Sequence, residues 1–303
     1  KVVVSPAERS RSAVLVTGTS SGIGRAAVAR LAASGFHVFA SVRKDKDAAA
    51  LQKLADELGC RDRITPVMME VTDEQSVADA EQVVHKCLDE QGLKLMAIIN
   101  NAGIAGRAPV ELVSPKNVQH MINVNVMGVL HICQAFLPHL RAAGGGATIV
   151  NISSVLGGFV VPYRSVYSAS KAAMEALSDG LRVELRSWGI NVVVVQPGYV
   201  QTDISLNSFA ADLELAKCPK ERAVLYPYFG QWLKKKAAAA GRSQHIDQGI
   251  PPAEVAHLLE KIITALTPLY MVGREAWVVR LCRVLPTFIL DWVLFTYLAQ
   301  SSS

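Results

Sequence analysis

Short apolar runs alternate with longer amphipathic stretches along most of this chain of 303 residues. Residues 13–17, 36–42, 64–69, 95–99, 147–152, 191–196 and Leu269–Val272 are such runs, rich in Val, Ile and Leu. Runs of that length with little polar alternation suit strands buried on both faces of a parallel sheet. Between them, apolar positions recur at helical spacing over 25–34, 45–58, 73–91, 114–140, 165–188 and 252–266. Gly35 closes the first of these helices as a residue that tolerates left-handed backbone. Ser114-Pro115 opens the fourth as N-cap and first helical residue. Alternating strands and helices predict an α/β fold, a doubly wound parallel sheet with helices on both faces. No Ser/Gly/Pro linker divides the chain, so it reads as one domain.

Composition narrows the partners. Half of the residues are hydrophobic, and the net charge of +5 is diffuse. Its densest cluster, Lys234-Lys235-Lys236, is a solvated helix face, and no basic stripe interleaved with aromatics suggests nucleic acid. The five cysteines, Cys60, Cys87, Cys133, Cys218 and Cys282, form no CxxC pair and no metal spacing. They read as free or buried thiols of a reducing compartment, with no metal. The first residue is Lys1, so removal of an N-terminal targeting segment stays open.

The first strand runs into Gly18-Thr19-Ser20-Ser21-Gly22-Ile23-Gly24 and then a helix. Glycines there let the backbone approach a pyrophosphate, and the helix start offers unpaired N–H groups and a positive dipole end. The end of the second strand chooses between cofactors, because an acid there binds a ribose 2′-hydroxyl. This chain has Val42-Arg43-Lys44. Arg43 suits a 2′-phosphate by charge-assisted bonds, with Ser21 as an added donor. NADP(H) is therefore preferred, and NAD(H) is the alternative.

The stretch Ser165-Val166-Tyr167-Ser168-Ala169-Ser170-Lys171 puts a phenol and an ammonium on one helix face. An ammonium beside a phenol favours the phenolate, so a lowered tyrosine pKa is expected. That would suit Tyr167 to proton transfer near neutral pH. Ser154 lies upstream at the end of an apolar run, and Asn125 sits within the apolar part of the fourth helix, where an amide must be bonded.

With Asn100-Asn101-Ala102-Gly103 and Pro197-Gly198 followed by Thr202, these motifs occur in an order that resembles the short-chain dehydrogenase/reductase family over roughly residues 12–275. The resemblance implies a single Rossmann-type domain with seven strands in the order 3-2-1-4-5-6-7. It implies Asn125, Ser154, Tyr167 and Lys171 as catalytic residues, with Asn125 holding a water that leads to the lysine. It implies a cofactor site of Gly18, Ser20, Ser21, Gly22, Ile23, Gly24, Arg43, Val71, Asn101, Ala102, Gly103, Tyr167, Lys171, Pro197, Gly198, Val200 and Thr202. Where the family usually has Asp-Val, this chain has Glu70-Val71, so only the Val71 backbone is expected to serve the adenine.

The domain organisation expected is a loose arm over 1–12, the dehydrogenase domain over 13–275 with a substrate lid at 203–250, and an apolar segment over 276–303. The chain is most similar to the retinol and 17β-hydroxysteroid dehydrogenase branch, which implies a bulky apolar alcohol or ketone as substrate. A broad carbonyl or 3-ketoacyl reductase is the rival enzyme reading, and a nucleotide-binding scaffold or regulatory protein the rival outside catalysis. The resemblance also implies a homodimer. Within 278–298, Leu281, Val284, Phe288, Trp292 and Phe295 make an apolar stripe beside Arg280, Arg283 and Asp291, with Pro286 breaking the helix. That pattern suits a helix lying on a membrane surface, not crossing it; the competing reading is that it closes the substrate cleft. The expected location is intracellular, cytoplasmic or peripherally membrane-bound.

Overall fold

The computed structural model describes residues 4–202, 204, 226, 249–265 and 269–272. Most of the expected lid and all of 276–303 lie outside them. Strands β1 (Ser12–Val16), β2 (His37–Val42), β3 (Ile64–Met68), β4 (Lys94–Asn100), β5 (Thr148–Ile152), β6 (Asn191–Pro197) and β7 (Leu269–Val272) pair in parallel in the order β3-β2-β1-β4-β5-β6-β7. The strand order reverses between β1 and β4, the kind of point where open α/β sheets bind ligands at their carboxyl edge.

The described α-helices are α1 (Pro6–Arg9), α2 (Gly22–Ala33), α3 (Asp45–Glu57), α4 (Glu74–Gln91), α5 (Pro115–Ile122), α6 (Gly128–Ala142), α7 (Ser165–Glu184) and α8 (Pro252–Ala265). Alternate residues of β1 feed two separate cores. Ala13 and Leu15 join Val84, Phe136 and Met174 under α4, α6 and α7, whereas Val14 and Val16 join Val28, Leu51 and Val255 under α2, α3 and α8. Both faces of the strand are therefore buried, which is why it lacks polar alternation.

Two local features differ from expectation. Residues 5–10 are not a loose arm. Ser5 and Glu8 form a reciprocal capping box around α1, and Pro6 occupies its first turn. Glu260 of α8 then draws α1 and α2 together, accepting from Arg30 Nε at 2.6 Å, Ser34 Oγ at 2.6 Å and Arg9 Nη1 at 3.5 Å. The fourth helix is also not continuous. A π-helical turn, Asn123–Met127, separates α5 from α6 and contains Asn125. Such one-turn widenings interrupt the regular hydrogen-bond ladder and occur often at functional sites. The composite helix is the one stretch among the described residues long and apolar enough to cross a membrane by length and composition. Here much of it faces the sheet and α4.

Beneath the carboxyl edge runs a buried polar chain. Asn100 Nδ2 donates to Asn151 Oδ1 at 2.8 Å, and Asn151 Nδ2 donates to Ser178 Oγ at 2.8 Å. It ties β4 to β5 and β5 to α7. Replacing Asn151, which is fully buried, with Leu removes the Asn100 amide's best acceptor. We expect Asn151→Leu to cost about 1–3 kcal/mol, the scale of an unsatisfied buried donor. Urea unfolding should show a lower midpoint with an unchanged slope.

Candidate active site

The glycine turn lies at the switch point. Gly18 (φ 68°) and Gly22 (φ 57°) both hold left-handed backbone, which glycine adopts without steric cost. A Cβ on Gly18 would lie 2.8 Å from Ala102 Cα, so the turn after β1 and the loop after β4 meet backbone to backbone. Thr17 and Asn101 fasten that contact. Thr17 Oγ1 accepts from the amides of Asn101 at 3.0 Å and Ala102 at 2.9 Å, while Asn101 Nδ2 donates to the carbonyls of Thr17 at 2.9 Å and Gly18 at 3.0 Å. Ser21 caps α2 without a side-chain bond to its first turn. The amides there have no cap from Ser21, as an incoming phosphate requires.

A cavity of about 1020 Å³ runs along the carboxyl edge from this turn to α7. It brings together every sequence-predicted site residue except Gly24 and Asn125. Gly24 stands behind the wall, where a Cβ would approach Gly18 O to 2.3 Å. Asn125 is likewise behind it, and its side chain is committed. Its Oδ1 accepts from Ile104 N at 2.9 Å, and its Nδ2 donates to Ile104 O at 2.9 Å and to Ser170 Oγ at 3.0 Å. The side chain thus clamps the loop after β4 to α7.

At one end of the cavity, Arg43 emerges from β2 and pairs with Glu70 Oε2 at 3.3 Å. Glu70 also accepts through Oε1 from the amide and hydroxyl of Thr72, at 3.2 and 3.0 Å. The longer acid has folded back on its own loop. The Val71 carbonyl meets His131 Nδ1 at 3.0 Å, so this backbone is fixed from the α6 side.

At the other end, the start of α7 carries Tyr167 and Lys171, both buried. Lys171 Nζ donates to the Ile152 carbonyl at 2.8 Å. Burial depresses its pKa to about 8, against the raising effect of Glu175. Tyr167 shifts the other way from expectation: burial raises its pKa, and the Ser154 hydrogen bond and the Arg164 charge offset that only in part. The phenolate loses more by leaving water than its neighbours return. The Arg164 guanidinium sits 5.9 Å from the Tyr167 ring centroid.

Residues 12–212 match the family described as short chain dehydrogenase. The chain belongs to that family. It is an oxidoreductase of the short-chain dehydrogenase type, and similar proteins are dehydrogenases and reductases by name. Among them is human retinol dehydrogenase 5, 32% identical over 290 residues, covering 94% of this chain and 88% of that protein. The 3-amino-tetrahydro-pyrrolizinone reductase of Xenorhabdus hominickii is 38% identical over 194 residues, which are 64% of this chain and 63% of that protein. In fold, the chain is similar to an alcohol dehydrogenase of Thermococcus sibiricus solved with 5-hydroxy-NADP. That match has a TM-score of 0.66 at 22% identity, over 86% of this chain and 96% of that one.

Sequence reasoning left several residues of this dehydrogenase site unnamed. Thr17 was readable as the threonine that opens the glycine motif. Glu175 was readable as the next step of the Tyr167–Lys171 stripe, four residues on. Tyr163 had no signal: it is a non-glycine residue at φ 67°, fixed by its carbonyl accepting from Ala108 N at 2.8 Å.

The two glycines should respond differently to a methyl group. Both impose left-handed strain on alanine, on the scale of about 1–3 kcal/mol, and Gly18→Ala adds a clash with the Ala102 backbone, so it should cost more. Gly22→Ala meets only the Thr202 side chain, at 3.0 Å, and should cost less. Thermal unfolding of the two variants gives the order.

Proposed function

We propose that this chain interconverts a carbonyl and a primary or secondary alcohol on a bulky, apolar substrate of steroid, retinoid or other lipid-like character, with NADP(H) as cofactor. The observation that carries the reading is a buried Tyr167 with Lys171 one helical turn on and Ser154 on the same wall, in one cavity with the glycine turn. The glycine turn fits a dinucleotide: its backbone approaches closely and the α2 amides lack a cap from Ser21. When bound, the nicotinamide supplies the hydride chemistry.

The protein's own part is proton transfer and placement. In reduction, Tyr167 donates its phenolic proton to the substrate oxygen. Its raised pKa keeps that proton in place at neutral pH, as a donor needs. Ser154 donates a hydrogen bond to the same oxygen as charge builds there. The Lys171 ammonium stabilises the phenolate left behind and holds the cofactor's ribose. Asn125 contributes by fixing the loop at Ile104, and any water relay to Lys171 runs beside that clamp. Around this centre Ile104, Val155, Leu156, Val161, Pro162 and Tyr199 line the cavity, which supports an apolar substrate. The likeness to retinol dehydrogenase 5 supports it further.

For the cofactor, β2 ends in Val42 and is followed by Arg43, with no acid at either position to meet a ribose 2′-hydroxyl. Arg43 lies at the cavity wall, and a 2′-phosphate would compete with Glu70 for it. Peripheral membrane contact through 276–303 and an intracellular location remain part of the same reading.

Two experiments test it. Tyr167→Phe keeps the ring and removes the proton, so turnover should fall by at least about a hundredfold while NADPH binding persists; near-normal turnover would remove Tyr167 from the chemistry. Val42→Asp combined with Arg43→Leu should weaken NADPH and improve NADH, read as kcat/KM for each cofactor. A wild-type protein that already prefers NADH would overturn the assignment of Arg43.

A further inference from the structure

One carboxylate near the reacting groups has no place in the mechanism above. Glu175 lies on α7 one turn beyond Lys171 and two beyond Tyr167, so all three share a face. Its Oε1 accepts from Ser153 Oγ at 2.6 Å and from Gln196 Nε2 at 2.6 Å. Ser153 follows β5 directly, and Gln196 lies near the end of β6. The carboxylate therefore holds two strand ends and the helix together one helical turn from Lys171. A Cβ on Gly157 would lie 2.3 Å from the same oxygen. A side chain on Gly157 would therefore have to displace the Glu175 carboxylate from its present place.

We propose that Glu175 is a positioning residue for the reaction, and that its negative charge keeps Lys171 protonated while its two hydrogen bonds fix Ser153 beside Ser154. The inference rests on the reading of Lys171 given above. The electrostatics point the same way: burial lowers the lysine's pKa and the Glu175 charge opposes that.

The surroundings leave Glu175 as the main compensating charge. On α7 the same four-residue stripe also carries Tyr167 and Asp179, and Asp179 is exposed to solvent. Arg164, just before the helix, sits over the Tyr167 ring, and Arg107, on the loop after β4, lines the same cavity as a second cation and not as a competing acid. The 3-10 turn Val155–Gly157, the π-helical turn and the strands β5 and β6 contribute no charged side chain. On α5, Lys116 and His120 are exposed to solvent. A second acid does not face the ammonium from any of these elements. With so few competitors, neutralising Glu175 should lower the pH at which Lys171 loses its proton.

The test follows NADPH affinity against pH by fluorescence, alongside kcat/KM for reduction. In the wild-type protein both should decline as Lys171 deprotonates, near pH 8. Glu175→Gln keeps an oxygen that accepts from Ser153 and Gln196 but removes the charge, and should move both declines down by roughly half a pH unit or more. Glu175→Asp keeps the charge, and its declines should stay near the wild-type position even if its Tm falls. Ser153→Ala removes one bond and leaves the charge, so it should lower Tm without moving the declines.

A folded Glu175→Gln protein with the wild-type pH dependence overturns the inference, as does an Asp variant that shifts as far as the Gln variant. If the Gln variant does not fold, the pair Glu175→Asn and Glu175→Asp decides in its place: the neutral Asn variant should show the downward shift and the charged Asp variant should not, and an Asn variant without the shift overturns the inference. A wild-type protein with no decline in either quantity anywhere in the alkaline range overturns the underlying role of Lys171, and this inference with it.

Discussion

An ammonium group taken out of water must be given something in exchange, and much of the polar architecture around α7 is that exchange. Lys171 is only 5% exposed, and an isolated buried charge would deprotonate before it would stay. The Ile152 carbonyl gives it one strong acceptor, and Glu175 gives it a counter-charge. Each of these in turn needs fixing. Ile152 is held at the end of β5 by the ladder to β6, and Glu175 by Ser153 and Gln196. The strand ends are thus bound to the helix by groups whose placement the lysine requires. A site that places a charge at depth obliges the surrounding scaffold to be polar, bonded and rigid.

The same logic explains why the site has two separately fastened ends. The glycine-turn end is held by the ties among Thr17, Gly18 and Asn101 across the strand reversal. The end that carries Tyr167 and Lys171 is held by α7 against β5 and β6. Asn125 joins the two, because its side chain grips Ile104 of the β4 loop and Ser170 of α7 at once. Its position in a π-helical turn follows from that task. A regular helix would continue its ladder through this stretch, whereas the widened turn lets one amide reach both a loop backbone and a neighbouring helix.

Much of this was legible in the residues. Uninterrupted Val and Ile runs announced strands buried on both faces, and Gly35 and Ser114-Pro115 marked helix ends to within a residue or two. The glycine turn, Ser154, Tyr167 and Lys171 were legible because motif spacing carries geometry: four residues on a helix is one face, and a strand end is a sheet edge. What was not legible depends on competition between neighbours. The sequence placed an ammonium beside a phenol and so suggested a lowered tyrosine pKa. Only the fold shows that the phenol is buried, and burial outweighs the neighbouring charges and raises it. The short helix at Pro6 is different: its capping box, Ser5 with Glu8, is spelled by the sequence itself, and only its docking through Arg9 to Glu260, 251 residues away, depends on the fold.

Glu70 shows how one substitution within a family pattern redirects its surroundings. A longer acid at the end of β3 reaches back to the Thr72 amide and hydroxyl, and outward to Arg43 on β2. The same acid thereby sets the orientation of the arginine that the proposed 2′-phosphate would meet. Because Arg43 and Glu70 are both substantially exposed, their pairing is weak. A doubly charged phosphate would compete well for that guanidinium, since a charge-assisted bond to it is stronger than a screened surface pair. A ribose hydroxyl would meet a rim whose acid is already engaged three ways. On this argument the cofactor preference follows from the balance between one acid and one base at the rim, and not from the glycine turn, which presents its backbone to either dinucleotide alike.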